Sequence, residues 1–191
     1  MPDYDAALTL REARGRYFAA NGLGEGGYED KWVRFAIGPV HFAIPNSAGR
    51  VRAVRYHDLH HVVTGYPTDW TGEGQIGAWE IASGCRDMIA AWVLNLYAMR
   101  VGLWLSPRAI WQAFARGRHS QNLYGESWSD ALLDQSVGDT RHRLALEREA
   151  PRATVGDALG FATWSVAALA LAVLSSAPLA LLVWAIAAVV R

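Results

Sequence analysis

The sequence predicts an all-α protein: a helical bundle with a small extended N-terminal arm and an apolar helical segment at its C-terminal end. Three observations lead to this fold class. Residues 47–146 repeat apolar side chains at the spacing of amphipathic helices. Residues 33–44 instead alternate around a Gly-Pro pair, as in a short hairpin. Residues 158–190 form a run of 33 positions without Asp, Glu, Lys or Arg.

We therefore divide the chain into a helical domain, residues 1–153, and a hydrophobic membrane segment, residues 154–191. A chain of 191 residues is long enough to bury a hydrophobic core. Its formal net charge is zero, so nothing indicates a nucleic-acid partner. Cys85 is the single cysteine, which excludes an internal disulfide framework and fits a reducing compartment.

The first part of the chain is predicted to hold one helix and a small hairpin. The helix runs from Asp5 to Asn21 and stops at Gly22. Residues 33–37 and 40–44 alternate around Gly38-Pro39, which indicates a hairpin or an irregular extended arm. Asn46 is expected to cap the next helix, residues 47–64.

The remaining helices of the domain follow from apolar periodicity and capping residues. A long central helix is expected from Glu73 to Leu103, with a slight kink or a close helix contact at Gly84. Ser106-Pro107 has the residue types preferred at the start of a helix. Residues 127–146 are expected to form one or two short polar helices, broken near Gly138.

The C-terminal segment is expected to enter a membrane, with the domain on the cytoplasmic side. Its 33 residues would span about 50 Å as one helix, against a hydrocarbon core of about 30 Å. Pro178 lies within the run and is expected to kink or break it, giving a tilted, kinked span or a re-entrant hairpin. A buried helical hairpin in a soluble protein is the alternative. The positive charges that precede the run favour a cytoplasmic domain: Arg141, Arg143, Arg148 and Arg152.

One motif concentrates the residues that can bind a metal. In a helix, His57 and His61 are i,i+4 neighbours and Asp58 and His61 are i,i+3 neighbours. Gly65 ends that helix, and the following turn presents Glu73 at the start of the next one. Two imidazoles and two carboxylates are a donor set typical of zinc or iron rather than calcium or magnesium.

The stretch from His57 to Glu80 resembles the fourth Coq protein family of ubiquinone (coenzyme Q) biosynthesis. That family's signature is H-D-x-x-H, eleven residues and then Glu, and the matching positions here are His57, Asp58, His61 and Glu73. The agreement extends to Gly65-Tyr66-Pro67-Thr68 and to Glu80. We judge that it covers residues 11–124. The apolar C-terminal run departs from the better-known members, which suggests a different way of holding the membrane.

The resemblance implies a mostly helical protein that binds one divalent metal, zinc, through those four residues. It implies action on a polyprenylated benzoquinone precursor, with membrane lipid and other ubiquinone biosynthesis proteins as partners. The reaction would be oxidative decarboxylation, a lyase-type step in which hydroxyl replaces the C1 carboxylate. A bacterial inner membrane is the expected location, and a homodimer is left open.

Two residues near the motif keep alternative roles. Glu80 is a candidate catalytic acid or base, or a group that supports a metal ligand. His60 also lies three residues from His57, yet only His61 fits the family pattern.

Two other metal-dependent functions fit these residues less well. H-x-x-H-H is a motif of membrane di-iron enzymes, but they need about eight histidines in several motifs and this chain has six. A His-Asp phosphohydrolase would need further metal ligands on separate helices. The remaining alternative is a non-catalytic lipid-binding scaffold with a structural metal.

Overall fold

The computed structural model describes residues 4–37, 40–147 and 152–189, and within them the protein is mostly helical with one two-stranded sheet. The predicted all-α class, including the apolar C-terminal helix, is confirmed. In chain order the elements are α1 (Leu10–Asn21), β1 (Trp32–Ile37), β2 (Val40–Pro45), α2 (Ala48–Thr64), α3 (Trp70–Ser83), α4 (Ile89–Leu105), α5 (Pro107–Arg118), a 3-10 turn (Leu123–Gly125), α6 (Asp130–Leu133), α7 (Val137–Arg143) and α8 (Val155–Val189).

Helix α1 begins five residues later than predicted, because Thr9 and Glu12 cap it at Leu10. The Thr9 side chain accepts from the Glu12 backbone N–H, and the Glu12 carboxylate accepts from the Thr9 backbone N–H. The helix ends as predicted at Gly22, whose φ of 65° suits glycine. The predicted hairpin is present as antiparallel β1 and β2. Its turn, at Gly38-Pro39, lies outside the described residues.

Helix α2 is capped by Ser47 rather than by the predicted Asn46. The Ser47 hydroxyl accepts from the Arg50 backbone N–H. The Asn46 side chain instead donates to the backbone carbonyls of Gly27 and Asp30, at 3.0 and 2.8 Å. Asn46 therefore fastens the loop that follows α1 against the start of α2.

The single long helix predicted from Glu73 to Leu103 is wrong, because the chain forms α3 and α4 as two antiparallel helices. Gly84 ends α3 with a φ of 93°, so it terminates the helix rather than kinking it. The pair approaches closely where glycines face each other. A Cβ added to Gly74 would lie 2.6 Å from the Gly102 Cα. Glycine at these positions therefore permits the contact between α3 and α4.

Helix α5 starts at Pro107 as predicted, although Ser106 makes no side-chain capping bond. The polar region after it holds two short helices, α6 and α7, and the predicted break at Gly138 is misplaced. Ser136 caps α7 by accepting from the Asp139 N–H. The break therefore precedes Val137, and Gly138 lies inside α7.

Helix α8 begins with the predicted Thr154–Asp157 capping arrangement, in which the Asp157 carboxylate accepts from the Thr154 N–H at 2.8 Å. It continues as a helix from Val155 to Val189, so the break expected at Pro178 is not observed and the chain does not reverse there. The stretch from Val155 to Ser175 is long and apolar enough to cross a membrane.

The first turns of α8 pack against α4 and α5 through aromatic side chains. Trp164 stacks on Trp92 with ring centroids 4.9 Å apart. Phe161 contacts Trp111 and Phe114, with centroids at 5.2 and 5.5 Å. These contacts fix α8 to the helical domain.

Candidate metal centre

Helix α2 and the first turn of α3 bring the predicted ligands together. His57 and His61 lie one helical turn apart on α2, and Glu73 lies in the first turn of α3. Gly65 ends α2 with a φ of 75°, and Asp69 caps α3 by accepting from the Gly72 N–H. A Cβ on Gly72 would lie 2.0 Å from the Pro67 carbonyl oxygen, so the turn closes this tightly only with glycine.

The buried ring of His61 has its Nε2 free to accept. Its Nδ1 lies 2.9 Å from the Tyr66 carbonyl oxygen, which can only accept a hydrogen bond. The proton of the neutral ring is therefore on Nδ1. Tyr17 stacks on the same ring, with centroids 5.4 Å apart, and holds its plane. Together these contacts aim a lone pair toward His57 and Glu73.

His57 has the same arrangement with a different acceptor. Its Nδ1 lies 3.0 Å from Glu80 Oε1, and its Nε2 lies 3.3 Å from Glu73 Oε2. Hydrogen bonding to the Glu80 carboxylate places the proton of the neutral ring on Nδ1. The Nε2 of His57 therefore faces the same point as that of His61.

The two imidazole nitrogens are spaced as a tetrahedral metal requires, and the Glu73 carboxylate offers a different oxygen to each ring. The three candidate ligand atoms lie within 4.8 Å of one another. The two Nε2 atoms lie 3.2 Å apart, and His61 Nε2 lies 3.4 Å from Glu73 Oε1. Zinc–nitrogen and zinc–oxygen bonds of about 2.0–2.1 Å at tetrahedral angles put ligand atoms about 3.3 Å apart. His57, His61 and Glu73 thus form a group that could hold a metal ion.

Asp58, the fourth predicted ligand, has a different partner in this structure. It is buried, and its Oδ2 accepts a hydrogen bond from the Tyr28 hydroxyl at 2.5 Å. Burial raises the pKa of Asp58, and the bond from Tyr28 partly offsets that rise. Asp58 is not one of the three grouped ligands, although it lines a cavity with His57 and Glu73. Its role as a ligand stays a prediction.

His60 faces away from this group, in agreement with the sequence pattern that selects His61. Its Nε2 accepts from the Leu123 backbone N–H at 2.9 Å, so its proton is on Nδ1. That Nδ1 donates to Glu80 Oε1 at 2.7 Å. Burial lowers the pKa of His60 despite the Glu80 carboxylate beside it. His60 is therefore a neutral, fully bonded core residue.

Glu80 is a fully buried carboxylate to which four donors converge. His57 and His60 donate to Oε1, while the Tyr124 hydroxyl at 2.5 Å and the Asn95 amide donate to Oε2. Burial alone would raise the pKa of Glu80, but the two histidines outweigh it and lower that pKa. Of the two roles left open, this geometry fits support of a metal ligand, because Glu80 is 0% exposed.

Sequence reasoning missed the residues that complete the site from other elements. Tyr28, Asn95 and Tyr124 bind the motif carboxylates from 15 to 44 residues away in the chain. Neither the residue types nor the positions of these three residues in the sequence indicate that they contact the motif. An unpaired carboxylate on a buried helix face does, however, indicate that such donors must exist.

Two cavities meet at the candidate ligands. The larger, about 950 Å³, lies between α2 and the loop and hairpin that follow α1. The smaller, about 240 Å³, lies between α2 and α4 and reaches Leu94 and Ala98. Both are lined by Arg50, Val54, His57 and Glu73. A ligand can therefore approach the metal position from either side.

The candidate metal site is accessible to solvent, and its carboxylate ligand is ionised. The Glu73 side chain is 30% exposed. Burial raises the pKa of Glu73, but its interactions with the His57 and His61 rings lower it to about 2, so this carboxylate is ionised near neutral pH. Comparison of the chain with protein-family models, curated proteins and solved structures gave no match.

Proposed function

We propose that this protein acts in ubiquinone biosynthesis as a zinc-dependent enzyme at the cytoplasmic face of a bacterial inner membrane. Its substrate is a polyprenylated benzoquinone precursor whose C1 carboxylate is replaced by hydroxyl. The motif resemblance supplies the pathway. The observation that carries the chemistry is the grouping of His57, His61 and Glu73, whose ligand atoms lie within 4.8 Å of one another where two cavities meet.

The donor set supports a resident zinc ion. In their neutral forms His57 and His61 present unprotonated Nε2 atoms, and Glu73 supplies the charge that compensates the cation. When bound, zinc supplies a Lewis acid that polarises an oxygen of the substrate. Glu80 and the Tyr66 carbonyl hold the two imidazoles in the ligating tautomer.

Access to the site favours an enzyme over a scaffold with a structural metal. Structural zinc sites are closed by four protein ligands, whereas catalytic sites have three and an open position. Here three residues are grouped, and the cavities reach two of them, His57 and Glu73. The scaffold is the alternative, and it predicts that function survives substitutions at the site that leave the protein folded.

The proposed exchange requires an oxidant. Replacing a ring carboxylate by hydroxyl releases carbon dioxide and removes two electrons from the substrate. With dioxygen as the oxidant and water as co-substrate, the products are the hydroxylated ring, carbon dioxide and hydrogen peroxide, which balances.

The surface around α4 and α8 supports a substrate that stays in the membrane. Exposed apolar side chains lie along α4 at Val93, Leu94, Trp104 and Leu105. Leu94 also lines the smaller cavity, which leads to His57 and Glu73. A prenyl tail can thus leave the site between α2 and α4 while the ring stays at the metal.

The decisive experiment is a lipid analysis of a deletion strain. We expect the strain to lack ubiquinone and to accumulate a prenylated precursor that still carries its ring carboxylate. Wild type should restore ubiquinone and Glu73→Ala should not. Normal ubiquinone in the deletion strain would rule out the pathway, and full rescue by Glu73→Ala would favour the scaffold.

A further inference from the structure

Arg50 is the cation common to both cavities at the candidate metal centre. It lies on α2 seven residues before His57, with Val54 between them on the same face. Seven residues of helix span about 10 Å. An aromatic ring with a polar group at each end, together with the Arg50 side chain, is long enough to bridge that distance.

The position of Arg50 is fixed by a neutral partner. Its Nη1 donates to Asn46 Oδ1 at 2.8 Å, and Asn46 is in turn bound to the loop that forms a wall of the larger cavity. A guanidinium has five N–H groups. Among the residues that the structure describes, Asn46 is the hydrogen-bond partner of this guanidinium and no carboxylate forms an ion pair with it.

Two arginines elsewhere in the described chain show the more usual carboxylate pairing. Arg52 pairs with Asp87 at 2.8 Å, and Arg143 pairs with Glu126 at 2.5 Å. Arg50 is half-buried, and burial lowers its pKa despite the opposing charge of Asp58. A partly desolvated cation without an anionic partner costs free energy, which a bound anion offsets.

The other cations on the larger cavity lack these features. Lys31 and Arg34 also line it, but both are exposed, and neither lines the smaller cavity. Arg50 is thus the one of the three that lies within reach of a ligand entering from either side. It also faces a site whose own carboxylates, Asp58 and Glu73, repel anions unless a cation offsets them.

We propose that the Arg50 guanidinium binds an oxyanion, carboxylate or phosphate, of an aromatic ligand held at His57, His61 and Glu73. Arg50 then selects anionic ligands, and the metal ligands remain responsible for the chemistry. This inference rests on the proposed function for the placement of the ligand, but its test uses binding alone.

The test is calorimetric titration of the zinc-loaded, full-length protein in detergent micelles. The probes are 4-hydroxybenzoate, phenyl phosphate and the neutral isostere 4-hydroxybenzamide. Because Arg50→Gln removes a charge-assisted hydrogen bond, it should weaken binding of an anionic probe about 10- to 100-fold. It should leave the affinity for 4-hydroxybenzamide and the zinc content unchanged.

Arg34→Gln is the matched control, because it removes an exposed cation from the same cavity and should have little effect. Arg50→Lys should restore part of the anion affinity. Preference for 4-hydroxybenzoate over phenyl phosphate, or the reverse, identifies the oxyanion. Wild type that binds neither anion, or Arg50→Gln that binds them as wild type does, overturns the proposal. Arg50-dependent binding beside normal ubiquinone in the deletion strain would leave this inference standing and remove the pathway.

Discussion

The Nε2 atoms of His57 and His61 lie 3.2 Å apart, although the Nδ1 of each ring already faces an acceptor. Two neutral imidazoles so arranged point lone pairs at one another. A cation between them, or a proton on one of them, removes that repulsion. The Glu73 carboxylate beside both rings favours either outcome.

The first prediction is that His61→Ala abolishes binding of one metal ion per chain and His60→Ala does not. His61 presents Nε2 to the site, whereas both nitrogens of His60 are bonded inside the core. Mass spectrometry of metal content in the purified full-length proteins measures this. His60→Ala should also lower the unfolding temperature, since it leaves Glu80 and the Leu123 N–H with one partner fewer. Equal metal content in wild type and His61→Ala would contradict the site.

The second prediction concerns Glu80→Gln, which should lower zinc affinity about 10- to 100-fold. Four donors converge on the Glu80 carboxylate, and a glutamine amide turns its NH₂ group toward two of them. The lost bond to His57 releases the ring from its ligating orientation. Competition with a chelator of known affinity measures the change. An unaltered zinc affinity together with lost activity would instead identify Glu80 as a catalytic acid or base.

The third prediction is that zinc changes the pH dependence of stability. In the metal-free protein, burial lowers the pKa of His57, but the Glu80 and Glu73 carboxylates outweigh burial and hold it well above the usual value. A raised pKa means that the folded state binds more protons than the unfolded state. This contribution is complete below the unfolded pKa of about 6.5 and is lost as pH rises through the folded pKa.

The unfolding temperature of the metal-free protein should therefore fall as pH rises above about 6.5. The zinc-loaded protein should show the opposite slope in mild acid, because protons compete with the metal for Nε2. Thermal unfolding monitored by circular dichroism, with and without chelator, compares the two forms. The same slope in both would show that His57 is not a ligand.

The fourth prediction uses two glycines as a matched pair. A Cβ on Gly74 would meet the Gly102 Cα at 2.6 Å, so Gly74→Ala must push α3 and α4 apart and should cost about 1–3 kcal/mol of stability. Gly15 lies in α1 with nothing within 4 Å of an added Cβ, so Gly15→Ala should stabilise by about 0.5–1 kcal/mol. Chemical unfolding of both variants measures the difference. Equal effects would contradict the close contact of α3 with α4.

The fifth prediction is that truncation before Val155 releases the protein from membranes. The stretch from Val155 to Ser175 is long and apolar enough to cross a bilayer. Loss of α8 also exposes Trp92, Trp111 and Phe114, so aggregation must be separated from membrane attachment by flotation in a density gradient. Full-length protein should float after carbonate washing, and truncated protein should not. Carbonate release of the full-length chain would exclude an anchor.

Local sequence by itself determined the features that depend on neighbouring residues. The i,i+4 spacing of His57 and His61 places both rings on one face of any helix that contains them. Gly22 and Gly65 end their helices because the left-handed conformation there costs glycine little. Thr154 and Asp157 form their capping bonds within one turn.

Tertiary structure decided the features that depend on distant residues. The sequence from Glu73 to Leu103 is apolar on most faces and therefore predicts one helix. The chain forms two helices instead, because the two halves bury their apolar surfaces against each other where Gly74 meets Gly102. The Glu80 carboxylate accepts hydrogen bonds from Tyr124, 44 residues away, and from Asn95. A buried carboxylate needs hydrogen-bond donors. Neighbouring residues in the sequence do not indicate which part of the chain supplies them, because the packing of α3 against α4 and the 3-10 turn brings these donors to Glu80.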